Sequence, residues 1–276
     1  MKDLKADLHT HTNYSDGKFS PQQLIDMTIK CGIDIISITD HDNVNAVSQA
    51  IEYGNEKGIQ VIPGVEISAD VQNQEVHILG YFIDHINKDF LEFLATLREK
   101  RLRRNEKIVE KLNDLGSKIK FNSIIGKVGP DTSVGRPHIA MELNEEGFVN
   151  SYYEAFIKYI GDGKPAYVKK PNPSAKEVIK MISDLGGLSF IAHPGKTIRD
   201  VFLNELISEG IDGIETVHPS HSRDDIKYFT LAAAENFLLT SGGSDFHGGV
   251  KNDQKNFGNF YVTNNEIVNM KRRLFI

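Results

Sequence analysis

Hydrophobic positions change period along the chain in a regular way. Through the first third, short β-branched runs (Leu4–His11, Ile33–Thr39 and Gln60–Glu66) alternate with stretches of helical spacing (about Pro21–Cys31 and Asn43–Lys57). Such alternation predicts βαβ units and an α/β fold. Ser20-Pro21 marks a helix start, and Gly32 and Gly58 mark helix stops. After a further predicted strand, Glu75–Phe82, the rhythm gives way to one long helical stretch, Asp89–Leu115, closed by Gly116. Its apolar positions Phe90, Leu94, Leu97, Ile108, Leu112 and Leu115 keep helical spacing, broken around Arg101–Asn105.

From Asn122 to Lys164 shorter helical pieces, His138–Glu146 and Ser151–Tyr159, stand between Gly/Pro breaks. The alternation then resumes, with helices near Ser174–Leu185, Asp200–Glu209 and Arg223–Glu235. The accompanying strands are Leu188–Ala192, Gly213–Val217, Leu238–Ser241 and Asn259–Thr263. Residues 85–165 therefore read as an inserted, mainly helical cap, flanked by barrel segments 1–84 and 166–276.

A chain of 276 residues with 39% hydrophobic and 25% charged positions buries a sizeable core without staples, so a metal here serves chemistry. No apolar run approaches the roughly 20 residues that span a bilayer, and no secretory signal is visible. One cysteine, Cys31, excludes an internal disulfide and suits a reducing cytoplasm. Beside Gly32, it is expected to be buried as a small hydrophobe. The net charge of −6 argues against general attraction to nucleic acid or anionic membrane. The charge is uneven, since 85–165 carries 14 Lys and Arg against 12 Asp and Glu, and the rest carries 18 against 26. An acidic, histidine-bearing body under a more basic cap suits cations below and an anionic substrate between. Within the cap, Arg98–Lys111 is expected to form a solvated face with i,i+4 pairs, an anion-facing role being the alternative.

Asp7, His9 and His11 alternate on one strand and project to one face, where two imidazoles can grip one cation. Other apolar runs also finish in ligand-type residues: Thr39-Asp40-His41, Pro63-Gly64-Val65-Glu66, His193-Pro194, Glu215-Thr-Val-His218-Pro-Ser-His221 and Ser244-Asp245-Phe-His247. His77 falls within another strand. In α/β barrels the chemistry gathers at one end of the strands, and carboxylates crowded there repel one another unless divalent cations relieve them. Mixed imidazole and carboxylate donors suit Mn, Fe(II) or Zn.

In their order, His9-x-His11 with Asp16, Thr39-Asp40-His41, Pro63-Gly64-Val65-Glu66, His193-Pro194 and Ser244-Asp245-x-His247 resemble the polymerase and histidinol phosphatase (PHP) family. The insertion resembles the subgroup that removes the 3′-phosphate of nucleoside 3′,5′-bisphosphates or trims short 5′-phosphorylated oligoribonucleotides. The segments that carry this likeness are Val134-Gly135-Arg136-Pro137-His138, Gly163–Val168 and His218-Pro219-Ser220-His221. One departure is Thr216-Val217 before His218, where relatives often carry Val-Tyr.

The resemblance implies a distorted (β/α)7 barrel, like a TIM barrel, with two or three divalent transition metals. It assigns His9, His11, Glu66 and Asp245 to one ion, Glu66, His77 and His193 to a second, and Asp16, His41 and His247 to a third. Asp40 is expected to orient a neighbouring ligand histidine. The reading is a phosphoesterase in which hydroxide generated at the cations attacks phosphorus in line, near Asp245, and either His218 or a metal-bound water serves the leaving oxygen. Arg136 is the expected ligand of a second phosphate, with Ser133 and Lys164 as weaker candidates and His138 and His221 either lining the pocket or holding the cap. The expected partner is a small phosphorylated molecule, a nucleotide or short RNA, with no membrane and no obligate protein. A metal-dependent amidohydrolase or deaminase, and a non-catalytic metal- or nucleic-acid-binding module, are the competing readings.

Overall fold

The computed structural model describes residues 4–276. Its order begins β1 (Lys5–Thr10), α1 (Pro21–Lys30), β2 (Ile35–Ile38), α2 (Val47–Lys57), β3 (Gln60–Val71) and β4 (Gln74–Tyr81). The helical segment follows: α3 (Lys88–Asp114), α4 (Phe121–Gly126), α5 (Arg136–Glu145) and α6 (Tyr152–Ala155), which runs into a π turn, Phe156–Ile160. The chain then completes α7 (Ala175–Asp184), β5 (Leu188–Ile191), α8 (Val201–Ser208), β6 (Gly213–Val217), α9 (Arg223–Glu235), β7 (Leu239–Gly242), β8 (Val262–Thr263) and α10 (Asn264–Leu274). Neither α4 nor α10 is expected from the sequence pattern. No helix among the described residues is long and apolar enough to cross a membrane.

The strands form one sheet in the order β7-β6-β5-β4-β3-β2-β1-β8. A parallel bridge from Thr10 to Phe246, with the His11 N–H donating to the Phe246 carbonyl at 3.0 Å, draws the two flanks into a nearly closed barrel. The pairs β1–β2–β3 and β5–β6–β7 are parallel, but β4 runs antiparallel to both of its neighbours. Reversal at β4 follows from a hairpin whose turn residues Gln72 and Asn73 both have positive φ, 47° and 67°, the backbone that two-residue hairpins demand. As a result β3 runs to Val71 rather than stopping at Glu66, and His77 reaches the barrel mouth from the first half of its strand.

Amphipathic helices cover the barrel. α1 starts with a capping box between Ser20 and Gln23 and buries Pro21, Leu24, Ile25 and Thr28. Cys31 is exposed, contrary to the expectation of burial, because α1 ends at Lys30 and Gly32 (φ 67°) turns the chain off the core face. α3 belongs to two cores: Phe90, Leu94 and Leu97 pack with the barrel strands, whereas Ile108, Val109 and Leu112 pack with Ile124, Ile139 and Leu143 of the helical segment.

Candidate metal centre and anion pocket

The expected ligands converge at one mouth of the barrel, on Glu66. Its Oε1 lies 2.8 Å from His77 Nδ1 and 2.9 Å from His193 Nε2. Its Oε2 lies 2.9 Å from His41 Nδ1 and 3.4 Å from both His9 Nε2 and His11 Nε2. Asp245 Oδ1 approaches His11 Nε2 at 3.1 Å and His9 Nε2 at 3.3 Å, and Asp16 Oδ1 approaches His247 Nε2 at 3.2 Å. Donor atoms of His11, Asp16, His41 and His247 form one tight group, those of His9, His11 and Asp245 another, and those of His41, Glu66 and His77 a third. Burial alone raises the Glu66 carboxyl, but His41, His77 and His9 hold it well below the usual range. Asp16 is held low against burial chiefly by His247 and Lys251, and Asp245 by His9 and His247. His193 and Asp245 have positive φ, 28° and 49°, so the backbone is strained where it aims these side chains.

These residues fit divalent cations. His9 Nε2, His41 Nδ1, Glu66 Oε2 and Asp16 Oδ1 are buried without a hydrogen-bond partner. Lone pairs converging in this way leave a large penalty unless a cation lies between them. His9 shows how the donors are oriented, because its Nδ1 sits 3.0 Å from Glu215 Oε1 and donates its proton there, which turns the Nε2 lone pair inward. Glu215, fully buried on β6, thus has the orienting part that the sequence assigns to Asp40. Asp40 instead accepts from the Thr12 N–H and from the Thr12 and Ser15 hydroxyls, fixing the 12–15 loop, and reaches His11 only through Ser15. Asp7 also turns from the cluster to accept from the Ser244 and His9 N–H groups, and burial pushes its carboxyl up to about 7.

Above the cluster lies a cavity of about 210 Å³ whose lining includes Arg101, Arg104, Arg136, Lys170, Lys251 and Ser133. It is the feature the sequence reading largely missed. Arg103 and Glu99 form the expected exposed i,i+4 pair, but Arg101 and Arg104 of the same helix are buried. A signal existed. Positions 94, 97, 101, 104 and 108 continue one helical stripe, so the apparent break places two arginines on the inward face. Lys170 and Lys251 carry no comparable sequence signature.

Arg104 donates through Nε to the Val168 carbonyl at 2.7 Å, while its Nη2 is buried without a partner, as is the Ser133 hydroxyl. Burial and Arg136 lower the Arg104 pKa to about 10, so it stays charged at neutral pH. Arg136 lines the same cavity, already bound to Asp162 at 2.5 Å. Lys164 is exposed outside this lining. His138 accepts from the Gly135 N–H at 3.1 Å and lines an adjoining groove of about 660 Å³ with Met141 and Tyr152. His221 joins two loops by donating to the Thr216 carbonyl and accepting from the Gly195 N–H, so both ring nitrogens are engaged by backbone.

The family profile of the PHP domain matches residues 7–189. A 3′,5′-nucleoside bisphosphate phosphatase of Chromobacterium violaceum is 32% identical over 246 residues, covering 87% of this chain and 86% of its own. A 5′-3′ exoribonuclease of Haemophilus influenzae is also 32% identical, covering 88% and 90%. Among solved structures, a chain of Bifidobacterium adolescentis described as a metal-dependent phosphoesterase superposes with a TM-score of 0.90 at 31% identity, over 97% of this chain and 96% of its own.

Proposed function

Because the chain belongs to the PHP family and is a metal-dependent phosphoesterase, we propose that it acts on a nucleotide bearing two phosphates, removing the 3′-phosphate of a nucleoside 3′,5′-bisphosphate. Short 5′-phosphorylated oligoribonucleotides are the second substrate class. The observation that carries this reading is the pair of buried, unpartnered donors, Arg104 Nη2 and Ser133 Oγ, in a cationic cavity directly above the ligand cluster. Neither is used within the protein, and both suit a phosphate held apart from the scissile one.

His9, His11, Asp16, His41, Glu66, His77, His193, Asp245 and His247 hold the cations in this reading. Mn, Fe(II) and Zn suit these donors. Divalent cations there supply charge neutralisation at the phosphoryl oxygens and an ionised water nucleophile at neutral pH. Arg104 and Ser133 clamp the second phosphate, with Arg136 free to join them by leaving exposed Asp162. The adjoining groove beside His138 takes the rest of the substrate. His218 Nδ1 accepts from the Ser220 N–H at 3.1 Å, so its proton sits on Nε2, 3.4 Å from Asp245 Oδ2 and facing the mouth. That N–H is placed to hydrogen-bond the leaving oxygen and stabilise the charge that develops on it. Residues 85–165 serve as the cap, and a reducing cytoplasm suits a chain with one exposed cysteine.

The test compares phosphate release by Mn-loaded protein from adenosine 3′,5′-bisphosphate, 3′-AMP, 5′-AMP and a 5′-phosphorylated RNA trimer, with His9→Ala as the inactive control. Preference for the bisphosphate over 3′-AMP is expected. Arg104→Met should lower kcat/KM on the bisphosphate about 10- to 100-fold, the worth of a charged hydrogen bond of about 1.5–3 kcal/mol, while changing 3′-AMP turnover little. Equal turnover of 3′-AMP and the bisphosphate by the wild type refutes the two-phosphate reading.

A further inference from the structure

The ligand groups at the barrel mouth differ in one respect. Glu66 and Asp245 form ion pairs only with histidines among the described residues, whereas Asp16 also meets a lysine. Lys251 Nζ lies 3.2 Å from Asp16 Oδ2 and 2.7 Å from His247 Nε2. The tautomer of His247 fixes what that short distance means. Its Nδ1 is 2.7 Å from the Asp245 carbonyl, which can only accept, so Nδ1 carries a proton, and the Lys251 ammonium, which can only donate, takes a lone pair on Nε2. Asp16 Oδ1 stands 3.2 Å from the same ring nitrogen. His11 Nδ1 and His41 Nε2 stand 3.9 and 3.8 Å from that oxygen. The lysine ammonium therefore neutralises a four-residue donor group built for a cation, and a divalent ion must compete with it for Asp16 and His247.

The segment carrying Lys251 is a glycine turn tied to the cap. Gly248 and Gly249 precede it with φ of 82° and 92°, and Asp253 holds this turn by accepting from the His247 and Gly249 N–H groups. The Tyr153 hydroxyl donates to the Lys251 carbonyl at 2.5 Å. Lys251 lines both the metal mouth and the cationic cavity above it, so a displaced ammonium stays within reach of a bound anion.

We propose that Lys251 is a built-in counter-cation for the Asp16–His247 site. The chain then holds two divalent ions firmly around Glu66 and Asp245 and admits a third beside Asp16, His41 and His247 only by displacing the lysine. This inference rests on the metal-dependent reading of the centre.

Chelator-stripped protein titrated with Mn²⁺, with bound metal counted at graded free concentrations, tests it. In the wild type the third ion should bind at least about tenfold more weakly than the first two. Lys251→Met should tighten the third ion by about tenfold or more and leave the first two unchanged. Tyr153→Phe, which frees only the loop's tether to the cap, should shift the third ion the same way by less, and it keeps the question answerable if Lys251→Met does not fold. An equally tight third ion in wild type and Lys251→Met overturns the proposal while leaving the metal centre intact. Fewer than two ions in every protein overturns the metal-centre reading itself, and the counter-cation with it.

Discussion

Asp42, one residue beyond a ligand of the cluster, is fully buried with φ of 50°, and its Oδ2 accepts from Arg101 Nε and Nη2 at 3.0 and 2.7 Å and from Lys170 Nζ at 2.7 Å. One carboxylate thus pairs with two cations of the anion pocket and orients them, leaving the group net positive. Burial pushes the Asp42 carboxyl up, but Lys170 and Arg101 outweigh it and hold the group far below the usual range. Because the folded-state value is depressed, the stability it contributes is present above the unfolded value of about 3.9 and is lost as pH falls below that through the folded value. Asp42→Ala leaves two buried cations unpaired and should cost about 3–5 kcal/mol in urea unfolding at neutral pH. Its acid transition should also be shallower, and a loss under about 1 kcal/mol contradicts this account. At this scale most of the candidate ligands were legible because they are rare residue types at the ends of apolar runs, Asp16 in its loop and His77 within its strand being the exceptions. The side chains that orient them were not. Asp7 shares the alternation of His9 and His11 yet points to Ser244, and Glu215, for which the sequence predicted no role, holds His9 because hydrogen-bond partners come from distant strands.

At the scale of elements, ligand placement depends on how closely strand ends approach. A Cβ on Gly243, just past β7, would stand 2.4 Å from His9 N and 2.6 Å from His9 Cβ, so only glycine lets this end pack against β1 and carry Asp245 and His247 to the mouth. Gly243→Ala should therefore destabilise the fold by about 1–3 kcal/mol, as overpacking does. It should also weaken Mn²⁺ binding, read by titration of stripped protein. Unchanged stability and metal affinity would show that the strand ends give way without cost. The strand–helix alternation made most barrel elements legible, with ends within a few residues of those observed. The reversal of β4 was hidden, because Gln72-Asn73 adopts a hairpin backbone without the glycine that usually announces it. In α3 the missed message lay in an interruption: Arg101 and Arg104 on the inward stripe are explained by the cavity they face, which no local pattern contains.

Across the whole molecule, net charge of −6 conceals an opposed arrangement, with carboxylates and histidines at the barrel mouth and arginines and lysines over them. The overall charge repels a nucleotide, so attraction must come from this local field, whose strength depends on how many of its groups stay protonated. Arg104, lowered to about 10, titrates only at the top of the alkaline range, whereas burial, with Arg101 beside it, lowers Lys170 to about 8, so the loss of charge between about pH 7 and pH 9 falls to the lysine. Since the protonated lysine attracts the anion, affinity should be greatest below pH 8 and fall as pH rises through the folded value, the bound phosphate shifting the break upward. Calorimetric titration of 5′-AMP into Mn-loaded protein between about pH 7 and pH 10 measures this. The wild type should lose affinity across that window, by about tenfold if the lost interaction is worth about 1.4 kcal/mol. Lys170→Met should bind more weakly at neutral pH and show a flatter profile. A wild-type affinity constant across the window, or a drop that survives in Lys170→Met, removes Lys170 from anion binding and leaves the field to Arg101, Arg104 and Arg136.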